Sequence, residues 1–215
     1  LTASSIPATF SGTFSGNILS LTVSHNAYGQ LRAGSITTMS VTGNYGDGVG
    51  GDTTLKLTQA FGGAKAALGA LSVGGWMNDV NIVSTDSLGA ITAGGMIGSN
   101  IYAGALSVDE VLPPILAIND TMVTPASIAS VTVRGITGAA ASFVNTNLVS
   151  WNIGTLKLNK IQVGNGGTPF GVAANSIKSY SAQIGAKLYT WMPTVSAWPD
   201  DTSASNGDYE VFKAI

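Results

Sequence analysis

One histidine, eleven carboxylates, nine scattered cations and no cysteine make up the reactive side chains of this 215-residue chain. His25 sits in "VSHNAYGQ". A triad or a histidine-based metal site needs a base, an orienting carboxylate and a nucleophile converging in space, and a single histidine supplies one part at most. His25 is therefore expected to be a solvated turn residue. The stretch "YGDGVGGDTTLKL", Tyr45 to Leu57, sets glycines beside Asp47 and Asp52, like half of a calcium-binding Gly-Asp turn. A hard cation wants six to eight oxygens, and repeated turns supply them only when the aspartates recur. Here they do not recur, so no calcium requirement is expected. Asp109–Glu110 and Asp200–Asp201 are adjacent pairs. Neighbours along a strand point to opposite faces, so adjacency alone does not aim two carboxylates at one glycosidic bond.

Hydroxyls are more regular than charges. Thr22, Ser40, Ser72, Thr92, Thr132 and Ser181 occupy the same place in a recurring hexad, with Lys157 replacing the hydroxyl once. If the hexads stack, these side chains form one outer column, a solvated sheet face or a water-ordering one. Trp76, Trp151, Trp191 and Trp198 could include a sugar-stacking platform, although large aromatics more commonly pack in cores and caps.

The element that must position this column is the hexad itself: aliphatic, any, small, apolar, Ser/Thr, apolar. Seven copies begin at residues 18, 36, 68, 88, 128, 153 and 177, most visibly in "LGALSVGG" and "LGAITAGG" twenty residues apart, and the 40-residue interval after the copy at 88 reads as two units. Fixed-period self-similarity marks a stack of small units. Period-two alternation inside each copy predicts a short strand with one buried face, and the invariably small third position predicts a bend. Strand-like "VNIVS" and "NIYAG" follow the two best copies after Gly-Gly turns. A strand this short cannot bury its apolar side alone, whereas a stack at about 4.8 Å gives a continuous core and a hydrogen-bond ladder. No helical segment long enough for a βαβ unit is visible, and an antiparallel sandwich is the structural rival.

Composition agrees. Apolar residues make up 45% and charged residues 9% of the chain, 28 residues are glycine, and net charge is −2. No basic stripe points to nucleic acid. No apolar run is long enough for a membrane span, and no helical amphipathic stripe suggests a membrane-surface role. The chain starts at Leu1, without Met or a signal segment, and is expected to be a mature or excised piece of something longer.

The stretch "NLVSWNIGTLKLNKIQVGNGGTPFGVAANSIKSYSA", together with the two Gly-Gly copies, resembles the Gly-rich β-helical regions of large exported bacterial proteins of the planctomycete and verrucomicrobial type. The resemblance implies export, repetition and a surface or matrix role, and supplies no catalytic residues. Some β-helices degrade pectin, but the Gly-His-Gly and Arg-x-Lys of such hydrolases are missing here. The basic Arg32 and Arg134 that a lyase would use are expected in strands without acidic companions.

The expectation is an all-β chain: a single right-handed parallel β-helix of about eight to ten rungs over residues 1–185, with an irregular Pro-containing insertion near 105–127. A C-terminal cap would follow over 186–215. Its function would be that of a non-catalytic structural or adhesive module at the cell surface, with no catalytic residue, cofactor or metal. Partners would be copies of itself or surface glycan. The alternative is a β-helix that binds or degrades polysaccharide.

Overall fold

The structure is a computed structural model and describes residues 1–49, 53–58, 66–105, 107–109, 125–191 and 207–213. Among these residues the chain is all-β, with 18 strands joined in one hydrogen-bonded sheet. No helix long and apolar enough to cross a membrane occurs among them.

Within the sheet the strands stack as three ladders. The first contains β1 (Thr2–Ala3), β3 (Asn17–Val23), β5 (Ser35–Val41), β7 (Leu68–Val73), β10 (Leu88–Ala93) and β13 (Ser127–Val133). It continues through the later halves of β15 (Asn147–Ile161) and β16 (Phe170–Ile184). Single bridges Ile6–Ala27–Tyr45–Met77 begin the second ladder, which runs on through β8 (Trp76–Asn78), β11 (Gly95–Ile97), β14 (Phe143–Val144) and Ile161. The third holds β2 (Ser11–Thr13), β4 (Gln30–Ala33), β6 (Thr53–Leu57), β9 (Val80–Ser84) and β12 (Asn100–Ala103). The early halves of β15 and β16 and then β18 (Tyr209–Lys213) complete it. Every pairing between these strands is parallel except that of β16 with β17 (Lys187–Trp191), so a sandwich of antiparallel strands does not describe the chain.

The hexads are the first ladder. Their leading residues Ile18, Ile36, Leu68, Leu88, Ile128, Ile153 and Ile177 stand in register, as do Leu21, Met39, Leu71, Ile91, Val131, Leu156 and Tyr180. All fourteen are buried and join inward residues of the other ladders, such as Met77, Ile82 and Leu148, in one core. Burying each such side chain contributes about 1.5–3 kcal/mol, which is how strands of six or seven residues persist without helices.

Two details differ from expectation. The register skips Leu19, Thr37, Gly69, Gly89, Ala129, Gly154 and Lys178, so the bend falls one residue before the small position. Two successive residues therefore turn outward there. The backbone approach is tight enough that a Cβ on Gly89 would press into the Gly69 carbonyl oxygen of the preceding strand. The 40-residue interval between the copies at 88 and 128 also does not contain an extra unit, because Leu88 pairs directly with Ile128. The intervening chain first supplies β11 and β12 to the other two ladders; of the Pro-containing stretch that follows, Pro113 and Pro114 lie outside the described residues, and Pro125 is exposed.

At the corner between second and third ladders Gly46, Asp79, Gly98 and Asn145 all take positive φ, at 87°, 53°, 58° and 41°. Gly, Asn and Asp are the residues that enter this region at least cost, so the corner is set by residue type. Just beyond it, Asn100 donates to the Asn81 side-chain carbonyl at 2.8 Å and Asn147 donates to that of Asn100 at 2.9 Å. This amide ladder follows the rung spacing and ties three turns of chain together. Of the C-terminal segment 186–215, β17 folds back antiparallel on the end of β16 and β18 joins the third ladder. Residues 192–206 lie outside the described residues.

Candidate functional site

The outward side of the first ladder is the most regular surface. Thr2, Thr22, Ser40, Ser72, Thr92, Thr132, Lys157, Ser181 and Thr190 form one column in register. Two residues earlier on each strand, Ser20, Thr38, Ala70, Ala90, Ser130, Thr155 and Ser179 form a second, parallel column. The first column was legible in the sequence. The second reads in the sequence only as a row of small residues, the position predicted for the bend. All these side chains are partly or fully exposed. On strand geometry the columns stand about 6.7 Å apart with a repeat of about 4.8 Å.

Carboxylates lie elsewhere. Asp47 is exposed and accepts a bond from the Val49 amide at 3.0 Å, while Asp52 lies outside the described residues. Asp79, which the sequence did not single out, comes near Asp47. Partial burial first, and the charge of Asp47 second, push the Asp79 carboxyl above its ordinary value. No group of three or more His, Asp or Glu side chains that could hold a metal occurs among the described residues. His25 is exposed, and its Nδ1 lies 3.3 Å from both the hydroxyl and the carbonyl oxygen of Ser4.

Arg32 overturns one expectation, because it has an acidic companion. Its guanidinium donates to both oxygens of Asp109, at 3.0 and 2.8 Å, and Lys56 donates to the same carboxylate at 2.9 Å. Bonds from Lys56, then from Arg32, hold the Asp109 carboxyl below its ordinary value. This fastens the insertion to the outer side of the third ladder, where Arg32 and Lys56 pair in register. Asp109 is thus engaged structurally; Glu110, Asp200 and Asp201 lie outside the described residues. Arg134 donates to backbone carbonyls of Val73 and Gly74 and pairs with no carboxylate among the described residues.

A shallow cleft of about 280 Å³ opens where the hydroxyl column meets β17, lined by Thr132, Lys157, Asn159, Ser181, Gln183 and Leu188 among others. The side chain of Asn159 donates to the Arg134 carbonyl at 2.7 Å, and its own Oδ1 is buried without a partner. Trp76, on the second ladder, and Trp151, where the third passes into the first, are not brought onto one platform. Nothing is described of the Trp191 side chain or of Trp198. No family model, curated protein or solved structure matches the chain.

Proposed function

We propose that the chain is a right-handed parallel β-helix of eight turns acting as a non-catalytic contact module at a bacterial cell surface, associating through the outer side of its first ladder. The chain visits first, second and third ladders in that order on successive turns, and parallel crossovers are right-handed almost without exception. The observation that carries the function is the pair of in-register columns of hydroxyl and small side chains. Such groups lose little rotamer entropy on contact, and no carboxylate among them must be desolvated.

The available area sets the strength. Seven steps of about 4.8 Å by a width of about 10 Å give roughly 350 Å², well under the ~800 Å² per partner of a stable protein interface. One face therefore binds weakly, and retention comes from repeated engagement along a polymer or an array.

The test is retention on insoluble glycan particles, with self-association followed by sedimentation. Ser72→Glu combined with Thr92→Glu should weaken both by about tenfold or more, since like charges introduced into a contact are left unpaired. Gln162→Glu, exposed and outside the columns, should change neither. Undiminished retention in the double variant rejects the face. New reducing ends or unsaturated products from pectins or alginates, lost on substituting one carboxylate, would replace the module with an enzyme.

A further inference from the structure

Charge is segregated along this chain. Between Asp120 and Asp200 there is no Asp or Glu, while Arg134, Lys157, Lys160, Lys178 and Lys187 all fall in that stretch. Three of these cations are occupied: Arg134 and Lys160 donate to backbone carbonyls, and Lys187 lies 4.6 Å from the Tyr189 ring centroid. Among the described residues, the side chains of Lys157 and Lys178 have neither an ion pair nor a hydrogen bond, and both are exposed on the first ladder's outer side. In β1, β3, β5, β7, β10 and β13 that same side carries no charge at all.

Resting on the reading of this side as a contact face, we propose that the cleft around Lys157 binds the carboxylate or sulfate groups of an anionic polysaccharide. Lys157 stands in the floor of the cleft between Thr132 and Ser181, with which it pairs in register. Gln183 and the two hydroxyls offer both donors and acceptors to sugar hydroxyls, and Leu188, 63% exposed, offers an apolar edge to a pyranose face. Lys178 lies one strand further and three residues back along the strand, roughly 11 Å away on the sheet grid. That separation suits two charged units of one chain rather than one small anion. A nucleic acid fits less well. Stacking platforms for bases need aromatic side chains, and the outward positions of the hexads hold none. Two cations also fall far short of a phosphate-tracking stripe.

The experiment uses the full chain with four probes: alginate oligomers, chondroitin sulfate, dextran and single-stranded DNA. Alginate and chondroitin sulfate should bind, and dextran and DNA should bind at least about tenfold more weakly, as electrostatic complementarity on a sugar-shaped site requires. Lys157→Gln with Lys178→Gln should lower binding of both anionic glycans by about tenfold at low salt, what two exposed ion pairs together supply. Its melting temperature should not move, because both side chains are exposed. Anionic binding unchanged in this variant, or DNA or dextran bound as tightly as alginate, overturns the proposal. If that happens while Ser72→Glu/Thr92→Glu still abolishes particle retention, the contact face survives and only the anionic partner is lost. If the lysine variant loses binding while the glutamate variant keeps it, the cleft stands and the extended face falls.

Discussion

On the first ladder, the residues pointing away from the core include Ser20 and Thr22, Thr38 and Ser40, and their counterparts on every later strand, all partly or fully exposed. On the third ladder the corresponding positions read Arg32, Lys56, Val83, Tyr102, Val149 and Ala173 in register. The last four are at most 4% exposed, yet none belongs to the central core cluster. One backbone architecture thus carries two different outer surfaces, one solvated and one covered. Alternating sequence marks the first ladder and the early strands β4 and β6 of the third, and adjacent apolar pairs such as Ile82–Val83, Ile101–Tyr102 and Leu148–Val149 mark the covered part, as expected for strands buried on one face or on both. Asp109, bonded to Arg32 and Lys56, belongs to the insertion and meets the outer side of the third ladder, and its neighbour Val108 is buried outside the core cluster. A repeat therefore fixes the spacing of side chains, and the choice of outward residue decides whether a face meets solvent or more of the chain.

The largest expected effect breaks the comparison directly. Val149→Asp places a carboxylate at an outward position that is 0% exposed. Burial of an unpaired charge should cost about 4 kcal/mol or more, whereas Ser72→Asp, outward on the first ladder, should cost no more than about 0.5 kcal/mol. Urea unfolding midpoints measure both. A Val149→Asp protein as stable as Ser72→Asp would show that the third ladder is as solvated as the first.

Alkaline pH should act next, through tyrosines buried on the covered and inner sides. Burial pushes Tyr102 up to about 12, and the same cause, first, with the Tyr189 charge adding to it against the bond from Tyr209, takes Tyr180 to about 12. Tyr45 and Tyr209 are raised further by burial. An acid whose folded value is raised contributes stability that is complete below its unfolded value and disappears as pH rises through the folded one. Stability should hold to about pH 10 and then fall by about 1.4 kcal/mol per pH unit for each such tyrosine until pH 12. Thermal melts at pH 9, 10, 11 and 12 read the slope, which should be shallower in Tyr102→Phe and unchanged in Ser72→Asp. A flat profile to pH 12 would mean that these phenols meet solvent.

The first ladder was legible because its signal is local. Six consecutive residues state the strand, its buried side and its outward hydroxyl, so seven copies could be aligned and the registers followed. The bend was misplaced by one residue because Gly69, Gly89 and Gly154 share their column with Leu19 and Lys178, and residue type alone did not mark it. What the sequence concealed is nonlocal. Arg32 and Asp109 are 77 residues apart, and nothing in either neighbourhood announces the pair. Asp47 and Asp79 meet because two turns of chain bring their corners together, although only Asp47 sits in a motif that invites attention. The cleft at Lys157 needs β17 to fold back antiparallel, a departure from the repeat that no repeat could forecast.

The smallest effect is the sharpest discriminator, because it exchanges the two outer surfaces one methyl for one hydroxyl. Thr92→Val on the first ladder keeps the β-branched shape that suits a strand, at a partly exposed position that water reaches. Its stability should stay within about 0.5 kcal/mol of the parent. Val149→Thr makes the reverse change at a position with no exposure, where the new hydroxyl displaces a packed methyl. Desolvating that hydroxyl in place of a methyl should cost about 1–3 kcal/mol. Retention on glycan particles should run the other way. Thr92→Val removes one hydroxyl from the contact column and should weaken retention about twofold, whereas Val149→Thr should leave retention untouched wherever the protein stays folded. Denaturation midpoints and retention are measured on the same two proteins. Equal stabilities would erase the distinction between covered and solvated sides. Equal retention would mean that the hydroxyl column is only a solvated surface.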